Sequence, residues 1–330
     1  MMAISMAQAL NAAMRDAMQA DSSVVVFGED VGTLGGVFTV TAGLAEEFGE
    51  DRCFDTPLAE SGIAGFAVGM AMQGFRPVIE MQFDAFAYPA FEQLASHVAK
   101  IRNRTRGAVH VPMVIRIPYG GGIGGVEHHS DSSESHYAHI PGLKVVTPAT
   151  VEDAYSLLRE AIDDPDPVVF MEPKKLYWTK SEASMPVRTA GFGQASIRRT
   201  GSDITLIAYG TTVPTALEAA EAATEQGLDI EVVDLRTLVP LDDATIVGSV
   251  TRTGRCVVVT EANGFAGIGA ELVARIQERC FYSLDAPVLR VTGFDVPYPP
   301  PLYEHHYLPG VDRILDAVDR LEWEDQSKSA

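Results

Sequence analysis

Short unbroken apolar runs alternate along the chain with stretches in which apolar residues recur every three or four positions. The first kind, bounded by turn residues, predicts buried strands, and the second predicts amphipathic helices. In the first half the strands are Val24–Phe27, Val78–Phe83, Val111–Pro118, the end of Pro141–Pro148, and Val168–Met171. The helices there are Ser5–Gln19, Ser61–Met72, Leu94–Gly107 and Ser156–Ile162. In the second half Ile204–Ala208, Ile230–Asp234, Cys256–Thr260 and Val288–Val291 alternate with helices Val213–Gln226, Asp242–Thr251 and Gly269–Arg279. Such alternation predicts an α/β fold of mostly parallel sheets with helices on both faces. The pattern breaks from Tyr177 to about Arg199, a polar stretch containing Met185-Pro186 and Gly191-Phe192-Gly193. A chain of 330 residues can bury two cores. Two domains are therefore expected, residues 1–185 and 201–330, with 186–200 as the linker.

The stretch Asp55–Gln93, DTPLAESGIAGFAVGMAMQGFRPVIEMQFDAFAYPAFEQ, departs most from ordinary patterning. Glu60 opens a run with no other ionisable side chain before Arg76. Ser61, Gly65 and Gly69 fall four apart on one helical face. Glycine costs a helix roughly 1 kcal/mol per position, so a second backbone is expected close against that face. A helix apolar all round is expected to be buried. A carboxyl in such surroundings resists ionising and can hold or share a proton near neutrality, as a general acid or base must. The helix N-terminus pulls the other way, favouring the carboxylate. Pattern alone leaves two readings, a proton-handling Glu60 and a plain N-terminal helix carboxylate. Beyond it Gly74–Pro77 signals a turn, and Phe83, Phe86, Tyr88 and Phe91 straddle a strand end. Parallel sheets hold flat cofactor rings at such places, although a single Phe more often packs a core.

Other candidates are polar loops. Glu29 follows the first strand, where it either serves a site or caps a loop. The glycine-rich Tyr119–Gly125 follows a strand but leads into a polar loop instead of a helix, so it is no dinucleotide fingerprint. That loop carries His128 and His129, with His136 and His139 beyond. Histidine can move a proton at neutral pH, and HHx6HxxH is not a usual metal-ligand spacing. Asp163–Pro167 is a tight acidic turn, open to reading as a solvated turn or as oxygen ligands for a hard cation. Gly264–Gly269 is a second nucleotide-loop candidate, with Leu272 where the fingerprint needs its third glycine.

A formal charge of −20 and a pI near 4.7 argue against nucleic acid and against anionic membrane surfaces. The acidity suits a basic protein partner as well as plain solubility. Three widely spaced cysteines without a CxxC fit a reducing compartment. No apolar run reaches the roughly 18 residues of a membrane span, and the N-terminus reads as a helix, not a secretory leader. A cytoplasmic protein is expected.

These motifs resemble one family. Asp55–Gln93 is similar to the beta subunit of the thiamine-diphosphate-dependent 2-oxo acid dehydrogenases, the decarboxylating first component of the pyruvate and branched-chain complexes. The resemblance runs from about Ile4 to Val318, and EMQFDAFAYPAFEQ is nearer the branched-chain version. It implies a transketolase-like pyrimidine-binding domain followed by a C-terminal domain, with thiamine diphosphate as cofactor. Glu60 would hydrogen-bond the aminopyrimidine and drive it to its imino form, Phe86 would lie against that ring, and Glu29 would be near the cofactor. His129, not its neighbour His128, would donate or orient a proton as the acyl group passes to the lipoyl group of an acyltransferase. A potassium ion would sit at Met113, Ala161, Ile162, Asp164 and Asp166, the last standing where the family commonly has Asn. No GDG followed at a distance by Asn occurs. Magnesium and the diphosphate are therefore expected of a separate alpha subunit in an α2β2 assembly. Branched-chain 2-oxo acids are the first-choice substrates, then pyruvate, then acetoin. Two other classes stay open: a nucleotide-dependent oxidoreductase using Gly264–Gly269, and a non-catalytic binding subunit.

Overall fold

The computed structural model describes residues 3–328, with side chains described as far as Leu321. Two compact units emerge. The first runs to Tyr119 and resumes over His136–Phe192; the second consists of Gly120–Ser135 and the chain from Gly193 onward.

In the first unit six parallel strands lie in the order Lys144–Val146, Val168–Pro173, Val114–Tyr119, Arg76–Glu80, Val24–Gly28, Cys53–Asp55. Val24–Gly28, Val114–Tyr119 and Val168–Pro173 are buried along their whole length, which is why they read as mainly apolar runs, broken by charge only at Arg116 and Glu172. Val24–Gly28 has Cys53–Asp55 on one side and Arg76–Glu80 on the other. Successive crossovers therefore diverge there, and such a switch point opens a crevice at the strands' C-terminal ends. Close pairing needs Gly28, because a Cβ there would lie 2.5 Å from the Glu80 carbonyl oxygen. Helix Met6–Ala20 starts in a capping box of Ser5 and Gln8 and packs on helix Val151–Asp163.

The same sheet buries an ionic cluster. Arg116, fully enclosed, donates to Glu80 at 2.6 Å and to both oxygens of Glu172 at 2.7 and 2.9 Å. Tyr177 donates to Glu172 at 2.6 Å. Burial holds the Glu80 carboxyl above the ordinary carboxylate range, with Arg116 opposing it.

The second unit has strands Leu289–Gly293, Cys256–Asn263, Ile204–Ala208 and Ile230–Asp234 side by side and parallel. Ser196–Arg199 adds an antiparallel edge. Helices Thr212–Ala223, Asp243–Thr253, Ile268–Cys280 and Val311–Lys328 connect and follow them. The edge strand falls where the sequence pattern reads as irregular. Its residues SIRR are half-exposed or exposed, so no apolar run marks it. The expected helix Leu94–Gly107 is helical but irregular: a π-helical segment Leu94–Val98 continues helix Tyr88–Gln93, and the short helix Ile101–Arg104 follows.

Candidate active site

Three consecutive crossovers deliver the expected residues of the first unit to one end of the sheet. Glu29 directly follows strand Val24–Gly28, Glu60 opens helix Glu60–Met72 after strand Cys53–Asp55, and Phe86 lies in the single turn Ala85–Ala87 beyond strand Arg76–Glu80. Both carboxylates are buried, Glu29 at 6% exposure and Glu60 at 7%. Phe86 is half-buried, its ring centroid 5.9 Å from that of Phe83. Burial pushes the Glu29 carboxyl up to about 7, helped by the neighbouring Glu60 and Asp30 carboxylates. Its Oε1 is enclosed and accepts no hydrogen bond among the described residues. Leaving such an acceptor unmet is costly, and a donor on a bound ligand would relieve it. Two neighbouring acidic acceptors, one of them unmet, at the strand end that also leads to Phe86 suit an amino-bearing ring.

Glu29 therefore costs stability when it ionises. Its folded pKa lies above the unfolded one, so the favourable contribution is complete below about 4.5 and is lost as pH rises through about 7. Glu29→Gln should accordingly stabilise the chain by about 2 kcal/mol at pH 8 and by little at pH 5. Thermal melts at the two pH values measure this, and an equal gain at both would reject the assignment.

Helix Glu60–Met72 differs from expectation. Ile63, Ala64, Ala67 and Ala71 are buried, but Phe66 and Met72 are more than half exposed, and a Cβ on Gly69 would meet nothing within 4 Å. An apolar composition alone does not separate a helix in a core from one with a face left open. Leu34 and Leu58 of the same unit are also exposed.

Polar supports that the pattern did not single out surround this site. Gln82 donates to Asp30 at 3.0 Å, and Asp30 has a positive φ of 58°. A Cβ on Gly36 would stand 3.1 Å from the Glu80 carboxylate, so the buried ionic cluster approaches this loop. The available signal was position, since Asp30 and Gln82 each come just after a strand.

His129 lies in the second unit, in the single turn Glu127–His129, half-buried, its N–H donating to the Val126 carbonyl at 2.8 Å. His128 is exposed and lies 3.5 Å from Glu127. His136 belongs to the first unit, near the rings of Tyr88 and Phe91. Among the described residues no three His, Cys, Asp or Glu side chains gather as a metal would need.

The oxygens of the acidic turn have protein donors. The Met113 carbonyl accepts from Val168 N at 3.0 Å, and Arg76 donates to the carbonyls of Ile162 at 2.8 Å and Asp164 at 3.3 Å. Lys144 reaches Asp164 at 2.5 Å, Arg102 reaches Asp166 at 2.5 Å, and Asp166 N donates to the Asp164 side chain at 2.8 Å. Ala161 is buried at the end of helix Val151–Asp163. At the other glycine-rich turn, Asp295 accepts from Phe265 N at 2.9 Å, and Arg290 donates to the Gly264 carbonyl at 2.8 Å.

Comparisons with known proteins agree with this architecture. Residues 2–179 match the family described as transketolase, pyrimidine binding domain, and residues 193–314 match transketolase, C-terminal domain. The chain is 56% identical to 3-methyl-2-oxobutanoate dehydrogenase subunit beta of Mycobacterium tuberculosis, over 96% of this chain and 92% of that one. It is 52% identical to the pyruvate dehydrogenase E1 component subunit beta of Leifsonia xyli, over 96% and 94%. A solved split-gene transketolase, an inactive beta4 tetramer, superposes with a TM-score of 0.80 over 96% of this chain and 98% of that one, at 22% identity, and so speaks for the fold alone. With these relatives and both domain matches, the chain belongs to the beta-subunit family of the 2-oxo acid dehydrogenases, a transketolase-like fold of two domains.

Proposed function

We propose that this chain supplies the pyrimidine side of a thiamine diphosphate site and works with an alpha subunit, as α2β2, in the oxidative decarboxylation of a branched-chain 2-oxo acid. The acyl product passes to a lipoyl group on an acyltransferase core. The observation that carries this reading is the buried neighbouring pair Glu29 and Glu60 at the strands' C-terminal end, with an unmet acceptor on Glu29. Thiamine diphosphate, when bound, supplies the nucleophilic carbon and the electron sink for decarboxylation. With the cofactor bound, Glu60 would hydrogen-bond its aminopyrimidine ring, Glu29 would accept from the amino group, and Phe86 would lie against the ring. His129 donates or orients a proton during acyl transfer. The pyrimidine-binding domain is assigned to residues 1–185 and the C-terminal domain to 201–330, with 186–200 between them, although Gly120–Ser135 and the edge strand Ser196–Arg199 pack with the second unit.

Magnesium and the diphosphate are assigned to the alpha subunit, since this chain has no GDG motif to hold them. The exposed apolar face carrying Phe66 and Met72 is consistent with a chain that needs a partner. Potassium fits poorly. Two carboxylates and two of the expected carbonyls are engaged by Arg76, Arg102 and Lys144, so the turn's charge is balanced internally and no step passes through an ion there. A cytoplasmic setting suits three free, buried cysteines, and no described helix is long and apolar enough to cross a membrane.

The test is a substrate comparison on the reconstituted pair. The kcat/KM for 3-methyl-2-oxobutanoate should exceed that for pyruvate or acetoin by about tenfold or more, the range that pocket size confers. A preference for pyruvate would reassign the substrate. Failure to turn over any 2-oxo acid with thiamine diphosphate present would overturn the reading.

A further inference from the structure

The segment Gly120–Ser135 leaves a strand of the first unit yet groups with the second. Two carboxylates hold it there. Glu261, near the end of strand Cys256–Asn263 and 4% exposed, accepts from Gly121 N at 2.5 Å and from Ser132 Oγ at 3.4 Å, and Thr211 also donates to it. Glu304 accepts from Gly122 N at 2.5 Å and Gly124 N at 3.1 Å, and is itself held by the Tyr298 hydroxyl at 2.6 Å. At the far end of the segment, the buried Glu134 accepts from the Tyr209 hydroxyl at 2.6 Å.

This explains a glycine run that does not read as a dinucleotide fingerprint. A Cβ on Gly121 would fall 1.9 Å from the Tyr298 hydroxyl oxygen, and one on Gly120 would fall 2.8 Å from the Glu261 carboxylate. Only a bare backbone brings its N–H groups that close. The exchange is reciprocal, because the loop has N–H groups without strand or helix partners, and an enclosed carboxylate needs donors. His129 follows Gly124 by five residues on this tethered segment.

We propose that Glu261 and Glu304 are positioning residues for the reaction, fixing through Gly121, Gly122 and Gly124 the loop that carries His129. The proposal rests on the assignment of His129 to the active site. It is tested in the reconstituted α2β2 enzyme with Glu304→Ala, Glu304→Gln, His129→Ala and the double variant Glu304→Ala/His129→Ala. Amide hydrogen exchange over residues 120–130 is followed alongside kcat and KM. Glu304→Ala should speed exchange of the loop by about tenfold or more and lower kcat by a similar factor, as loss of charge-assisted hydrogen bonds would. KM should change less. Glu304→Gln, which keeps an acceptor oxygen, should recover most of both. The informative comparison is the double variant: its kcat should equal that of His129→Ala, because a loop without its histidine has nothing left to misplace.

Independent, multiplying losses would overturn the proposal, as would unchanged exchange in Glu304→Ala. Full kcat in Glu304→Ala despite a loosened loop, with His129→Ala inactive, would also overturn it while leaving the His129 assignment standing. Full activity of His129→Ala would instead remove that assignment, and the positioning role with it.

Discussion

Replacing Glu60 by Gln is expected to lower kcat of the reconstituted enzyme by at least about 100-fold, the lower end of what a positioned acid or base contributes. Glutamine keeps the length and hydrogen-bonding capacity of the side chain at the helix entry but has no carboxyl proton to give or take. Cofactor affinity and KM should stay within a few-fold of the parent, because shape is preserved. The melting temperature should not fall, since the buried side chain keeps its size and its hydrogen-bonding capacity. Glu60→Asp should retain the chemistry at a misplaced distance and fall between the two. Steady-state kinetics of the three enzymes at saturating thiamine diphosphate decide the matter. A glutamine enzyme within threefold of the parent would reduce Glu60 to the plain helix-capping carboxylate that the sequence pattern also allowed.

The second large effect is on stability. Arg116→Met should cost about 3–5 kcal/mol, because it strands Glu80 and Glu172 in a dry sheet interior. Removing the guanidinium takes away the one group that opposes the upward shift of Glu80. A carboxyl whose folded pKa is raised stabilises fully below its unfolded pKa and loses that contribution as pH climbs. The loss should therefore be larger at pH 8 than at pH 5. Arg116→Met combined with Glu80→Leu and Glu172→Leu should recover much of it, since a packed apolar trio is often as stable as a buried ionic one. Denaturant melts at two pH values measure all of this. A single variant that melts like the parent at pH 8 would show that the cluster carries no net stability.

The parallel core was legible because fully buried strands leave unbroken runs such as Val24–Phe27 and Val168–Met171. Glu60 and Phe86 were found by oddity of pattern together with resemblance. In the sequence Glu29 reads both as a site residue and as a loop cap, and burial and an unmet oxygen set it apart. The Arg116 cluster was hidden, because its members sit on three strands distant in sequence and no local spacing links them. The edge strand Ser196–Arg199 was hidden for the opposite reason, being polar and short. The exposed face of helix Glu60–Met72 could not be read at all, since composition reports affinity for apolar surroundings and not which molecule provides them. The tethers at Glu261 and Glu304 lie 140 and 182 residues from their partners, beyond the reach of any periodicity.

The backbone passes between the two units three times, at Tyr119, Ser135 and Phe192. A protease nick in the Glu182–Arg188 stretch would cut the chain without parting its halves. The fragment ending there still threads Gly120–Ser135 into the other, pinned by glutamates that belong to the later fragment. Anyone wishing to produce either half alone must therefore excise and close over that loop, because simple truncation leaves one piece with a dangling arm and the other with an empty cradle.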